Sequence, residues 1–340
     1  MKSASNPIFL RTLPKVDLHR HLDLSLRFST LVHLAQDLDL QYSDNLHDLQ
    51  NEFLILEPMK DLNSVLKKFQ IAQQILGAQN ILKRIAYEAV EDAFNDGVRV
   101  LELRYAPEFI KQVNPHLSYD QIHAEIMSGV NKAEAIFPIA VGVIGIIQRT
   151  QSPESATQVV DMMVNQRDNF IGIDLADSED NFEPEKFARH FSRARAVGLR
   201  VTIHSGESPS EHAAVRIEKS IDILGAERIG HGVQAVHHMN CISLLRDHKI
   251  LLEVCPWSNY LTKVTGAYEN HPIRNLLNAG VLIGICTDDP GVFGNTLTDE
   301  YVLLNKYHQL SEKDFRFCNQ QAAQASFIRK EKRDRVMNLF

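Results

Sequence analysis

Residues 200–232 read RVTIHSGESPSEHAAVRIEKSIDILGAERIGHG. A β-branched, largely apolar run (RVTIHSG, 200–206) gives way to EHAAVRIEKSIDILG, a stretch of helical period closing on glycine, and then to a second short run, RIGHG (228–232). Strand, glycine-terminated helix and strand in immediate succession predict a βαβ unit. Each strand also ends in polar residues, His204 and Glu207 after the first and His231 in the second. One such unit says little about a fold, so the question is whether the pattern repeats.

It does, along most of the chain. Further strand candidates are KVDLHRH (15–21), VRVLELRYA (98–106), IAVGVIGII (139–147), FIGIDLA (170–176), ILLEVCP (250–256) and VLIGICTD (281–288). Several are nearly all apolar, as parallel strands buried on both faces should be. ILKRIAYEAVEDAFNDG, EKFARHFSRARAVG and HPIRNLLNAG supply helices between them. Eight strands with intervening helices predict an α/β fold, a (β/α)8 TIM barrel. The doubly wound open sheet is the rival, but neither a G-x-G-x-x-G after a first strand nor a P-loop is present. Residues 28–97 hold more helix than one crossover needs, including LNSVLKKFQIAQQIL, and read as a helical insertion; the segment from Thr296 onward is helical too. With no Pro/Gly/Ser-rich linker, residues 1–340 read as a single domain.

Composition narrows the function. At 340 residues, 44% hydrophobic and 23% charged, the chain has ample material for a core. A net charge of −7 without a long basic run argues against a nucleic-acid partner. The four cysteines include no C-x-x-C pair, MKSASNPIFLRTLPK lacks an apolar signal core, and no run of about eighteen apolar residues follows. A cytoplasmic protein with neither membrane nor nucleic-acid partner is expected.

In such a barrel the chemistry sits at the carboxyl ends of the strands. There the sequence sets His19, His21 and Asp23 after the first strand, HSGE with His204 and Glu207 after the fifth, His231 in the sixth, and Asp288 and Asp289 of TDDP after the eighth. GHG alone could be a tight turn, DDP a helix cap and HSGE a loop. Four histidines and several carboxylates converging on one mouth are hard to explain as core packing. Imidazoles with carboxylates and no thiolate suit zinc or a similar divalent ion. Glu207, three residues past His204, is free to carry a proton. The expected chemistry is metal-assisted hydrolysis at an electrophilic carbon or phosphorus, with His231 either a ligand or a neighbour of the ligands.

PKVDLHRHLD (14–23), VLELRYAP (100–107), GIDLA (172–176), HSGE, RIGHG and TDDP (287–290), in that order, resemble the adenosine deaminase family of the amidohydrolase superfamily from Pro14 to about residue 295. The resemblance implies that His19, His21, His204 and Asp288 bind one zinc ion per chain. It implies that Glu207 protonates N1 of a purine while water attacks C6, and that His231 orients that water. His21, Asp23, Asp177 and Asp289 would contact the substrate: Asp23 a ribose hydroxyl, Asp289 N7, and the backbone N–H of Asp177 N3. The implied reaction converts adenosine and 2′-deoxyadenosine to inosine and deoxyinosine plus ammonia, with adenine and AMP poor substrates. A strand-four end without lysine speaks against a bridged two-metal centre.

The chain departs from the family pattern at Leu24, where glycine is usual after HLD, and at Asp177 in LADSE, where the family reads LAGDE. Both add bulk near the expected purine and ribose. Alternatives are therefore a deaminase of adenine or of a modified adenine nucleoside such as aminodeoxyfutalosine, or a purine-nucleoside-binding protein without turnover. A cytidine-type deaminase would need H-x-E with P-C-x-x-C. His123-Ala124-Glu125 gives only the first half, within a helical pattern, and reads as a solvated helix face.

Overall fold

The computed structural model describes residues 7–37, 45–60, 62–78 and 80–337. Eight strands, β1 (Lys15–His21), β2 (Val98–Tyr105), β3 (Ala140–Gln148), β4 (Gly172–Ala176), β5 (Arg200–Ser205), β6 (Arg228–His231), β7 (Leu251–Val254) and β8 (Leu282–Ile285), pair in sequence order. All seven pairings are parallel. The ends meet through the Arg20–Asp288 bridge, where Asp288 N–H donates to His19 O and His21 N–H to Asp288 O. This is the expected (β/α)8 barrel, each strand within a few residues of its expected bounds.

Parallel neighbours need long crossovers, and helices supply them. Ser118 caps the helix Tyr119–Glu134 with a full capping box, and Ser152 caps Pro153–Asn165. Gly97 turns the chain from the helix Ile81–Asn95 into β2 at φ +89°, a conformation that any side chain would strain. Before it lie the helices Phe28–Asp37, Leu46–Phe53 and Leu62–Ile75, within the expected insertion, of which residues 38–44, 61 and 79 fall outside the described residues; so do residues 1–6 of the N-terminal segment. Three further helices, Leu297–His308, Glu312–Ala325 and Lys330–Met337, form the tail.

Within the HAE segment, Ala124 is exposed and Glu125 half-buried, but His123 departs from the expected solvated face. His123 is buried, stacks on Phe170 at 4.1 Å between ring centroids, and its Nδ1 lies 3.0 Å from the Tyr105 hydroxyl. The helix Tyr119–Glu134 turns that position toward the barrel wall, so the ring is core. Among the described residues, no helix is long and apolar enough to cross a membrane.

Candidate active site

A bulge re-aims the first strand. The β1–β2 register shifts between Asp17 and Arg20, and His19 and His21 both reach the mouth with ring centroids 5.3 Å apart. Across the barrel, β6 approaches closely enough that a Cβ on Gly230 would stand 3.0 Å from His19 Cε1 and press on that ring.

The structure brings the expected residues together. His21 Nε2 lies 3.2 Å from His204 Nε2 and 3.3 Å from Asp288 Oδ1, and His19 Nε2 lies 3.2 Å from the same oxygen. Ligands at about 2.0–2.1 Å from a tetrahedral ion stand roughly 3.3 Å apart, so these spacings match one small cation. His231 sits to one side, its Nε2 3.9 Å from Asp288 Oδ2 and 3.6 Å from Glu207 Oε2. Ligand atoms of His19, His204, His231 and Asp288 also lie within 4.8 Å of one another, so proximity alone leaves His231 in contention.

Second contacts fix the ring orientations. His19 Nδ1 donates to Glu253 Oε2 at 2.9 Å, and His204 Nδ1 to Asp174 Oδ2 at 2.9 Å. Both rings therefore turn Nε2 inward, the usual arrangement of metal-ligating histidine. His19 Nε2 is buried with no hydrogen-bond partner. Burial pushes His204 down to about 4 against the pull of Asp174, and holds His21 well below its ordinary value. His19 is the exception: burial and Arg104 oppose protonation, but Asp288 and Glu253 outweigh them.

Beneath the mouth, one guanidinium ties the two supporting carboxylates. Arg104 donates to Asp174 Oδ2 at 2.8 Å, to Glu253 Oε2 at 2.7 Å and to Leu18 O at 2.6 Å. Arg228 continues downward from Glu253 Oε1 (2.7 Å) to Glu102 Oε2 (2.6 Å), and Glu102 Oε1 accepts from Ser326 Oγ and Phe327 N–H. Both carboxyls are held below the usual range against burial, Glu253 by Arg104 and Arg228, and Asp174 by His204 and Arg104.

Glu207 is half-buried beside His231. Its carboxyl is raised above the usual range by burial, with Asp288 and Glu179 adding repulsion and His231 opposing. Its loop is held by Glu179, whose oxygens accept from the N–H groups of Gly206, Glu207 and Ser208 at 2.9, 2.9 and 3.0 Å. Asp23 accepts from Ala106 N–H at 3.1 Å through Oδ2 and leaves Oδ1 unpartnered; burial raises it to about 7. Asp289 Oδ1 is likewise buried without a partner, and burial with neighbouring Asp288 holds that carboxyl well above the usual range.

The two departures sit differently. Asp177 adopts φ +81°, a left-handed conformation natural to glycine; its carboxylate turns outward to accept from the Thr150 hydroxyl and from Ser178 N–H. Leu24 packs into an apolar cluster with Ile55, Val65, Leu261 and Phe293. Asp174, Glu253, Arg104 and Glu179 were not singled out in the sequence. Asp174 and Glu253 carried a signal, each being the one charge inside an otherwise apolar buried strand.

A (β/α)8 barrel whose strand ends gather this histidine–carboxylate cluster defines a hydrolase of the amidohydrolase type. The chain belongs to the adenosine deaminase family, whose model matches residues 14–339. It is 34% identical over 331 residues to an adenosine deaminase of Yersinia enterocolitica, covering 96% of this chain and 98% of that one. Among solved structures it is similar to the N6-methyl-AMP deaminase of Arabidopsis thaliana (TM-score 0.85, 27% identity, 98% of each chain). It is also similar to an amidohydrolase from Burkholderia ambifaria with bound zinc (TM-score 0.87, 25% identity, 99% of this chain and 92% of that one).

Proposed function

We propose that this protein is a zinc-dependent deaminase of adenosine and 2′-deoxyadenosine, releasing ammonia and inosine or deoxyinosine. The observation that carries the reading is a chain of close ligand-atom contacts, His19 and His21 to Asp288 and His21 to His204 at 3.2–3.3 Å, beside Glu207, whose carboxyl burial raises above the usual range. His19, His21, His204 and Asp288 would hold one ion, and the buried, partnerless Nε2 of His19 fits that role. When bound, such an ion lowers the pKa of water to about 7 and so supplies a nucleophile at neutral pH.

The remaining chemistry belongs to side chains of this chain. Glu207 delivers its proton to N1 of the purine, which draws electron density from C6 and opens it to attack. His231, 3.6 Å from Glu207, holds the attacking water by a hydrogen bond, and Glu207, deprotonated once N1 is protonated, carries the water's proton to the amino group, which departs as ammonia when the C6–N bond breaks. Asp23 offers its unpartnered Oδ1 to a ribose hydroxyl, Asp289 faces N7, and the Asp177 backbone N–H faces N3. The buried acidic side chain of Asp23 disfavours a substrate phosphate, which separates this reading from a nucleotide deaminase like the Arabidopsis neighbour. One apolar core containing both barrel and insertion residues, such as Ile75 and Val141, supports a single domain over residues 1–340. Four buried, unpaired cysteines fit a reducing cytoplasm.

The test is the fall in absorbance near the adenine maximum when metal-loaded protein meets adenosine, 2′-deoxyadenosine, adenine, AMP or N6-methyl-AMP. The two nucleosides should be turned over with kcat/KM at least tenfold above the rest. Preference for adenine or a nucleotide would overturn the substrate assignment, and no turnover of any would overturn the enzyme reading.

A further inference from the structure

Whether His231 ligates a metal or donates a hydrogen bond depends on which ring nitrogen carries its proton. The answer can be traced from a group whose role is unambiguous. The backbone N–H of Ile273, which can only donate, points to His271 Nδ1 at 3.2 Å. His271 therefore accepts at Nδ1 and carries its proton on Nε2, and burial keeps the ring neutral by pushing it down to about 3. His271 Nε2 in turn lies 3.1 Å from Asn259 Oδ1. With that oxygen accepting, the amide orientation is fixed, and Asn259 Nδ2 donates to His231 Nδ1 at 3.2 Å. His231 is left with its proton on Nε2, the nitrogen that faces Glu207 and Asp288.

We propose that Asn259 and His271 are positioning residues that lock His231 in the Nε2–H form, withholding it from the metal and making it the hydrogen-bond donor of the reaction centre. The proposal rests on the deaminase reading. It also separates His231 from His19 and His204. His19 and His204 face carboxylates, which accept from Nδ1–H and leave Nε2 free to ligate; His231 faces an amide donor, which reverses the ring. His231 is 1% exposed and Asn259 and His271 are buried, so solvent does not compete with the chain. The backbone adds a second constraint: His231 stands at φ +59°, with its ring committed to this side of β6.

The experiment uses zinc-loaded full-length protein with 15N-labelled histidine, His231 being assigned by the signals lost in His231→Gln. Wild type should show the Nε2–H pattern at His231. Asn259→Asp puts only acceptors opposite Nδ1 and should switch the ring to Nδ1–H. A wrong tautomer at a catalytic histidine costs up to about 10⁴ in turnover, so kcat should fall by roughly 10²–10⁴ with KM and metal content near wild type. His271→Gln keeps a donor toward Asn259 and should retain most activity, whereas His271→Leu should lose tenfold or more. This pair carries the test if Asn259→Asp fails to fold. An Nδ1–H pattern in wild type, or unchanged kcat in both Asn259→Asp and His271→Leu, overturns the proposal. Absence of any purine turnover would fell the deaminase reading alone, because the nitrogen spectrum still reports the tautomer.

Discussion

The mouth and the base of this barrel are both lined with charge, yet they are finished differently. At the base, every oxygen of Glu102, Glu253 and Asp174 has a hydrogen-bond partner, supplied by Arg104, Arg228, Thr202, the tail at Ser326–Phe327 and the two supported histidines. At the mouth, His19 Nε2, Asp23 Oδ1 and Asp289 Oδ1 are buried with nothing to bond. Arg104 Nε is unpartnered too, but no carboxylate oxygen of the base is; an unmade buried hydrogen bond costs about 1–3 kcal/mol, so the open carboxylate oxygens of the mouth mark where a ligand can bind. Completed charge holds the barrel together, and incomplete charge binds.

The largest expected effect strikes the mouth. His204→Ala should lose the metal and essentially all turnover, while His231→Gln should keep the metal and lose turnover; elemental analysis beside the absorbance assay checks both. Equal metal loss in the two would erase the distinction between ligand and donor. Next, Glu207→Gln should keep fold and metal but lower kcat by roughly 10²–10⁴, the scale for a positioned acid.

The base should answer in a different currency. Arg104→Gln removes the cation shared by Glu253 and Asp174 and should cost about 3–5 kcal/mol of stability, as breaking a buried ion pair does. The two histidines would lose their orientation with it, so metal affinity should drop about 10–100-fold in chelator competition. Arg104→Lys should recover part of both. Unchanged affinity at reduced stability would confine Arg104 to the scaffold.

His123 gives the smallest and most discriminating effect. Its Nε2 is also buried without a partner, but against Tyr105 and Phe170 rather than among the histidines of the mouth. Burial lowers it to about 4. A histidine depressed when folded adds nothing above its unfolded value near 6.5. As pH falls from there toward 4, the unfolded chain takes up the proton first, and stability drops by about 1.4 kcal/mol per pH unit. His123→Gln should flatten that acid slope in denaturant titrations and leave kcat at pH 7 unchanged. A fall in kcat would show that an unpaired atom outside the mouth also serves catalysis.

Much of this was legible in the sequence. The βαβ rhythm gave the barrel because buried parallel strands are apolar without interruption, and TDDP, HSGE and GHG stood at strand ends where the fold converges. Tertiary partners were less visible. Nothing local in PWSNYL or HPIRN announces that His271 meets Asn259 and that Asn259 meets His231, since the chain of contacts joins the segment after β7 to the end of β6. His123 was misjudged because helical period shows that a face exists, not which face the barrel covers. At Asp177 the sequence showed a lost glycine but not that the turn keeps φ +81° and fastens the carboxylate to Thr150.

The most direct test is a crystal structure of the zinc-loaded protein with anomalous data at the zinc edge. A single peak is expected at about 2.0–2.2 Å from Nε2 of His19, His21 and His204 and from Asp288 Oδ1, with His231 Nε2 outside the coordination shell. Two peaks, or one peak with His231 in the shell in place of His21, would contradict it.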